Sequence, residues 1–227
     1  MTKRDRPAEL ASQVPFREVR ALFDDTSIRI YQAFSPQIAD RALEAQTFVA
    51  PFKRTRMTWI KPSFAWMMYR SGCATRPGQE RVLGVNIRRA GFEWALTHSC
   101  LSHFEASIHG SRVDWETALK SSPVRIQWDP ERSEYLDALP WRAIQIGLGG
   151  EAVDRYLAEW IVSIEDVTPA ALRFGGTLSK RHIEFPTHQV PRELPYPLGT
   201  DLARRIGASS GFSAPGCVPA RKPNIYD

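Results

Sequence analysis

From Arg56 to Gly72 the chain reads Arg-Met-Thr-Trp-Ile-Lys-Pro-Ser-Phe-Ala-Trp-Met-Met-Tyr-Arg-Ser-Gly. Two Trp, one Tyr, one Phe and three Met stand beside Arg56, Lys61 and Arg70. Aromatic faces can stack on a planar ligand, and Arg or Lys can neutralise an anion. A charge taken out of water without a partner is costly. Two readings are open: a core helix whose Arg70 has a carboxylate partner, or a wall that offers its cations to an anionic ligand. Gln79-Glu80-Arg81 follows closely. Glu80 is either the internal partner of Arg70 or Arg56, or a carboxylate that holds a ribose hydroxyl and steadies a developing positive charge.

Other constellations are weaker. Gly147-Leu148-Gly149-Gly150-Glu151-Ala152 has the G-x-G-x-x-A form of a dinucleotide turn between a strand and a helix. Glu151 would place a negative charge at the pyrophosphate seat, so a Gly-rich helix start is the better reading. His98, Cys100, His103 and His109 cluster without the spacing of a zinc finger, and no metal is expected. His182-Ile183-Glu184 has the H-x-E form of zinc deaminases but lacks their P-C-x-x-C. Neither a G-x-S-x-G nor a P-loop pattern occurs, so nucleophile-elbow hydrolases and Walker-type NTPases have no support.

These residues need elements to position them. Pro62 has a fixed φ and no N–H to lose, which suits a helix's first turn, and Gly72 is a natural stop. The spacing therefore predicts an extended segment over 58–61 and a helix, apolar nearly all round, from Pro62 towards Gly72. Alternation predicts strands at 27–34, 81–88, 124–128 and 142–148. Ser35 and Pro36 open a helix through Ala45. Residues 16–23 read as a short helix and 91–102 as another. The i, i+3, i+4, i+7 pattern of Val153, Tyr156, Leu157, Trp160, Ile161, Ile164 and Val167 predicts a four-turn helix ended by Pro169. Strands and helices mix without a βαβα rhythm, so the expected class is α+β, with a mixed or mainly antiparallel sheet flanked by helices.

With 227 residues, one domain is the default. We expect a disordered lead-in over 1–15, a single globular α+β domain over 16–190, and an irregular Pro/Gly-rich wrap or tail over 191–227. No apolar run approaches the ~20 residues of a membrane span, and the charged N-terminus is no secretory signal. Three cysteines without framework spacing read as reduced thiols, so a cytoplasmic location is expected. Net charge is +5 with a pI near 9.3, which favours anionic small molecules, nucleotides or nucleic acid.

Tyr31-Gln32-Ala33, nearly all of 56–72, Gln79-Glu80-Arg81-Val82-Leu83 and Ile144-Gln145-Ile146-Gly147 together resemble the family filed as domain of unknown function (DUF) 4291. The resemblance covers about residues 16–190, and the family's name carries no activity with it. The order of elements is also similar, more loosely, to NAD-using ADP-ribosyltransferase folds. That likeness implies NAD as cofactor, a polar residue on the first strand (Gln32), an aromatic on the nicotinamide (Tyr31 or Tyr69) and a carboxylate near the ribose (Glu80 or Glu184). The expected site thus has Glu80 and Tyr69 as catalytic groups. Tyr31, Gln32, Arg56, Trp59, Lys61, Ser63, Arg70 and Gln79 would bind the ligand. The rival reading is a non-catalytic nucleic-acid-binding domain, in which Trp59, Trp66 and Tyr69 stack bases while Lys61 and Arg70 meet phosphates. A scaffold with every charge paired internally is the third.

Overall fold

The computed structural model describes residues 14–178 and 190–209. Most of the expected lead-in, and the tail from 210 onward, lie outside the described residues.

Two small sheets carry the site. In one, β2 (Ser27–Phe34), β4 (Arg81–Arg88) and β8 (Ile161–Asp166) lie in the order β2-β4-β8, all antiparallel. In the other, β3 (Thr58–Ile60), β7 (Ala138–Leu148), β6 (Val124–Arg132) and β5 (Ser99–Leu101) lie in that order. There β5–β6 is parallel and the other pairs antiparallel. The α+β class with a mainly antiparallel sheet is therefore what the chain forms.

Strand β2 joins the halves. Its main chain meets the residue after β3 at one bridge, where Tyr31 N–H donates to Lys61 O (2.7 Å) and Lys61 N–H to Tyr31 O (3.3 Å). Its two faces serve two cores, as period-2 geometry requires. Ile28, Ile30 and Phe34 join the larger core with α1 (Pro36–Ala45) and α3 (Arg89–Thr97). Tyr31 and Ala33 join a smaller one with α2 (Phe64–Ser71), Val82, Ala171 and Phe174.

Three expected elements are corrected. Residues 16–23 are not helical: β1 (Arg20–Ala21) runs antiparallel to β9 (Leu194–Pro195), and Tyr196 N–H donates to Val19 O. A partner distant in sequence supplies those bonds, and no local pattern announces it. The helix expected over 91–102 begins earlier and stops at Thr97, because the chain re-enters the sheet as β5. The long helix after Gly150 is the largest difference. Only α6 (Glu151–Arg155) and a π turn (Tyr156–Trp160) form there, and residues 161–166 are β8. Ile161, Val162 and Ile164 are β-branched and suit a pleated surface. The amide of Gln46 holds both main-chain groups of Ile164. Pro169 then stands near the start of α7 (Thr168–Leu178), where its missing N–H costs nothing, rather than after a helix end.

Between these elements lie α4 (Ala106–His109) and α5 (Arg112–Ser121). Within the stretch expected as an irregular wrap, α8 (Thr200–Ile206) packs on the domain. Ile206 is buried, and its carbonyl accepts from Trp128 Nε1 at 2.7 Å.

Candidate functional site

Beyond the Tyr31–Lys61 bridge the two strands no longer pair, and a cleft of about 470 Å³ opens beside them. Gln32, Ala33 and Phe34 of β2 line one side, and Thr58 and Trp59 of β3 the other. The loop from Pro51 to Met57 contributes Phe52, Lys53, Arg56 and Met57, and α2 contributes Trp66, Met67 and Arg70.

The wall formed by α2 is fixed at both ends. Ser63 is its N-cap: its Oγ accepts from Trp66 N (3.1 Å) and donates to Glu131 Oε1 (2.7 Å). Pro62 therefore precedes the cap instead of opening the first turn. Phe64 N–H donates to Glu193 Oε1 at 2.6 Å, so a buried carboxyl group gives this helix N-terminal donor its acceptor. Gly72 caps the far end at φ 59°, a left-handed conformation that glycine adopts without strain. Phe64 and Met68 are wholly buried beneath, and Tyr31 packs edge-on to Phe64 with ring centroids 5.5 Å apart.

Trp59 lies over Gly147, its cross-strand partner on β7. A Cβ there would come within 2.9 Å of the indole and 2.7 Å of Met57 Sδ. The missing side chain is what lets both residues settle at the cleft wall.

Electrostatically the cleft is one-sided. Lys53, Arg56, Lys61 and Arg70 line it, and no carboxylate does among the described residues. Arg70 donates to Gln79 Oε1 (3.2 Å), not to Glu80. Arg56 is exposed, and its guanidinium has no ion pair among the described residues. Lys61 differs. Its side chain is 1% exposed, its Nζ is 3.0 Å from Asp129 Oδ2, and it lies 3.6 Å from the centre of the Trp66 ring. Burial depresses its pKa to about 8, although Asp129 and Glu131 oppose the shift. Behind it, burial raises the pKa of Glu131, against the pull of Arg132 N–H, Ser63 and Lys61. Glu193 is raised well above its ordinary value, by burial and then by its neighbour Glu131.

The ten expected site residues thus divide. Gln32, Arg56, Trp59, Lys61, Arg70 and Gln79 converge on the cleft. Gln32 is nevertheless engaged internally: its Nε2 donates to Thr58 Oγ1 (2.8 Å) and Trp59 O (3.1 Å), and its Oε1 accepts from Tyr156 OH (2.8 Å). Tyr31, Ser63, Tyr69 and Glu80 are not among the lining residues. Tyr31 is buried in the smaller core, and Ser63 caps α2. Tyr69 is on the outer face of the helix, with the Arg132 guanidinium 3.5 Å from its ring centre. Glu80 Oε1 accepts from Gly78 N–H (2.9 Å) and closes a turn. Glu184 lies outside the described residues.

Phe34, Phe52, Lys53, Met57 and Gln145 are cleft residues that were not among the ten expected site residues. Gln145 carried a signal, since it alternates with Ile144 and Ile146 and must face the opposite side of β7. Lys53 and Phe52 carried none, because they lie on a loop without periodicity. The His/Cys cluster is dispersed. His98 stacks on Trp94 (centroids 3.9 Å apart), and His109 Nε2 is 3.9 Å from Cys100 Sγ. Burial pushes the Cys100 thiol up. Among the described residues no group of three or more His, Cys, Asp or Glu is placed to hold a metal ion. No helix among them is long and apolar enough to cross a membrane.

Fold and site together define an α+β protein with a cationic, aromatic cleft where two sheets part. The chain belongs to the DUF4291 family, described as a domain of unknown function, whose model matches residues 18–196. No curated protein matches it.

Proposed function

We propose that the cleft binds a nucleotide, a planar base carrying phosphate. One observation carries this reading: Lys53, Arg56 and Arg70 are exposed at the cleft with no ion pair among the described residues, Lys61 is buried behind them on Asp129, and Phe34, Phe52, Trp59 and Trp66 stand beside them. Its volume is within the range of small-molecule sites, roughly 300–1,000 Å³. Arg and Lys at the rim neutralise phosphate oxygens, and arginine can do so through paired hydrogen bonds. The aromatic side chains supply stacking surface, and Gln79 and Gln145 can hydrogen-bond a base edge.

NAD is one candidate, because it joins two nucleotides through a pyrophosphate. The cations suit that pyrophosphate. The ribose-side carboxylate expected of an ADP-ribosyltransferase has no counterpart among the lining residues, so the geometry supports binding further than it supports transfer. Were NAD bound, it would supply the activated glycosidic bond. This chain's contribution would be to seat the phosphates on Arg56 and Arg70 and the base against the aromatic walls.

Calorimetry with ADP, ATP and NAD tests the reading. We expect binding that weakens by about 1–3 kcal/mol in Arg56→Glu and in Arg70→Glu, the scale of a charge-assisted hydrogen bond. Exposed arginines can be reversed without unfolding the domain, which circular dichroism will verify. Absence of heat with all three nucleotides, or affinity untouched by both reversals, sinks the proposal.

A further inference from the structure

The positive charge does not stop at the cleft. Arg70, at its rim, donates to Gln79. Gln79 N–H in turn donates to Arg76 O at 2.9 Å. The Arg76 guanidinium is 5.9 Å from the centre of the Tyr69 ring, and that of Arg132 is 3.5 Å from it. Arg70, Arg76 and Arg132 thus lie as neighbours along a line from the cleft, over the outer face of α2 at Tyr69, to the Arg132 end of β6. None of Arg70, Arg76 and Arg132 has an ion pair among the described residues, a state they share with Arg56 at the cleft and with other arginines such as Arg88, Arg112 and Arg142, but these three lie together beside Tyr69 and Gln79. Two carboxylates close to them in sequence are engaged elsewhere. Glu80 faces the Gly78 amide, and Glu131 is buried against Ser63 and the Arg132 main chain. The Arg132 guanidinium donates from Nη1 to Leu136 O (3.4 Å), while its Nε is buried without a hydrogen-bond partner.

A mononucleotide filling the cleft leaves Arg76 and Arg132 unused. A chain of nucleotides uses both. We propose that the ligand of this surface is single-stranded nucleic acid, with one unstacked base in the cleft and the adjoining phosphates on Arg70, Arg76 and Arg132. This rests on the nucleotide reading of the cleft and extends it outward. A duplex fits badly, because its bases are stacked and paired and none is free to enter. Tyr69, already covered by guanidinium, holds the two arginines in place rather than stacking a base. Phosphate contacts of this kind give binding whose logarithm falls linearly with log salt.

Fluorescence anisotropy with labelled eight-residue RNA and DNA oligonucleotides, set beside calorimetry with ADP, tests the proposal. The single strand should bind about tenfold or more tighter than ADP at low salt, and its salt slope should drop by about one for each arginine lost. Arg76→Gln and Arg132→Gln should remove most of that gain while leaving ADP affinity unchanged. Should Arg132→Gln lower the melting temperature, Arg76→Gln alone decides, since Arg76 is exposed. RNA preferred over DNA, or the reverse, supports the proposal and assigns the sugar. An oligonucleotide that binds no tighter than ADP, or a duplex that binds as well as the single strand, overturns it while the cleft reading stands. Loss of ADP and oligonucleotide binding alike overturns both.

Discussion

Lys61 combines burial with charge in a way that pH can probe. Its folded-state pKa is depressed from 10.5 to about 8 by burial. Below about pH 8 the amine is charged in both folded and unfolded chains, and the full cost of burying the ammonium is present. Between about 8 and 10.5 the unfolded chain holds a proton that the folded chain has shed, so this contribution to stability rises with pH. Binding has the opposite sign, because a neutral amine no longer attracts phosphate. Nucleotide affinity should therefore fall as pH passes through about 8, and Lys61→Met should flatten that step. Calorimetry from pH 6.5 to 9.5 reads it; a step of equal size in the variant would show that Lys61 is not its source. Gln32 has a different role. Its amide replaces the ladder bonds that β2 and β3 do not make, and it gives the Tyr156 hydroxyl its acceptor. Gln32→Ala should cost about 1–3 kcal/mol in urea unfolding, through the stranded Tyr156 hydroxyl and Thr58. A variant as stable as the parent would make that network incidental.

Among the elements, β7 and α2 set the cleft's shape. Gly147→Ala places a methyl group against Trp59 and Met57, both side-chain atoms that can move. We expect a modest stability loss and a several-fold fall in nucleotide affinity, with the displaced Trp59 visible in fluorescence; unchanged affinity would mean that Trp59 takes no part in binding. Much of this level was legible in the sequence. Ser35-Pro36, the alternation over 27–34 and the aromatic helix ending at Gly72 all express local rules, and the structure follows them. The segment after Trp160 did not announce itself, because Ile161, Ile164 and Val167 satisfy a helical spacing while their β-branching favours a strand. Pairing with β4 decided between the two. β1 was illegible for a related reason, since its partner lies more than 170 residues away.

At the scale of the molecule, the six cleft residues named from sequence were found because they cluster within a few short stretches. The four that fell elsewhere show what one dimension hides. Tyr31 and Gln32 are neighbours in sequence but lie on opposite faces of β2, and of the exposed neighbours Tyr69 and Arg70 only Arg70 lines the cleft. Nothing local tells which neighbour turns inward. Lys53, on a loop, and Gln145, on β7, come together at the cleft only through the tertiary fold, which no local pattern states. Two main-chain hydrogen bonds at Tyr31 and Lys61, with the Gln32 amide on Thr58 and Trp59, join β2 to the β3 segment. At the cleft, Gln32, Ala33 and Phe34 belong to one sheet, and Thr58, Trp59 and Gln145 to the other. A bound ligand would therefore act as a strut across a seam that, among the described residues, one backbone bridge and one side-chain amide stitch between β2 and β3.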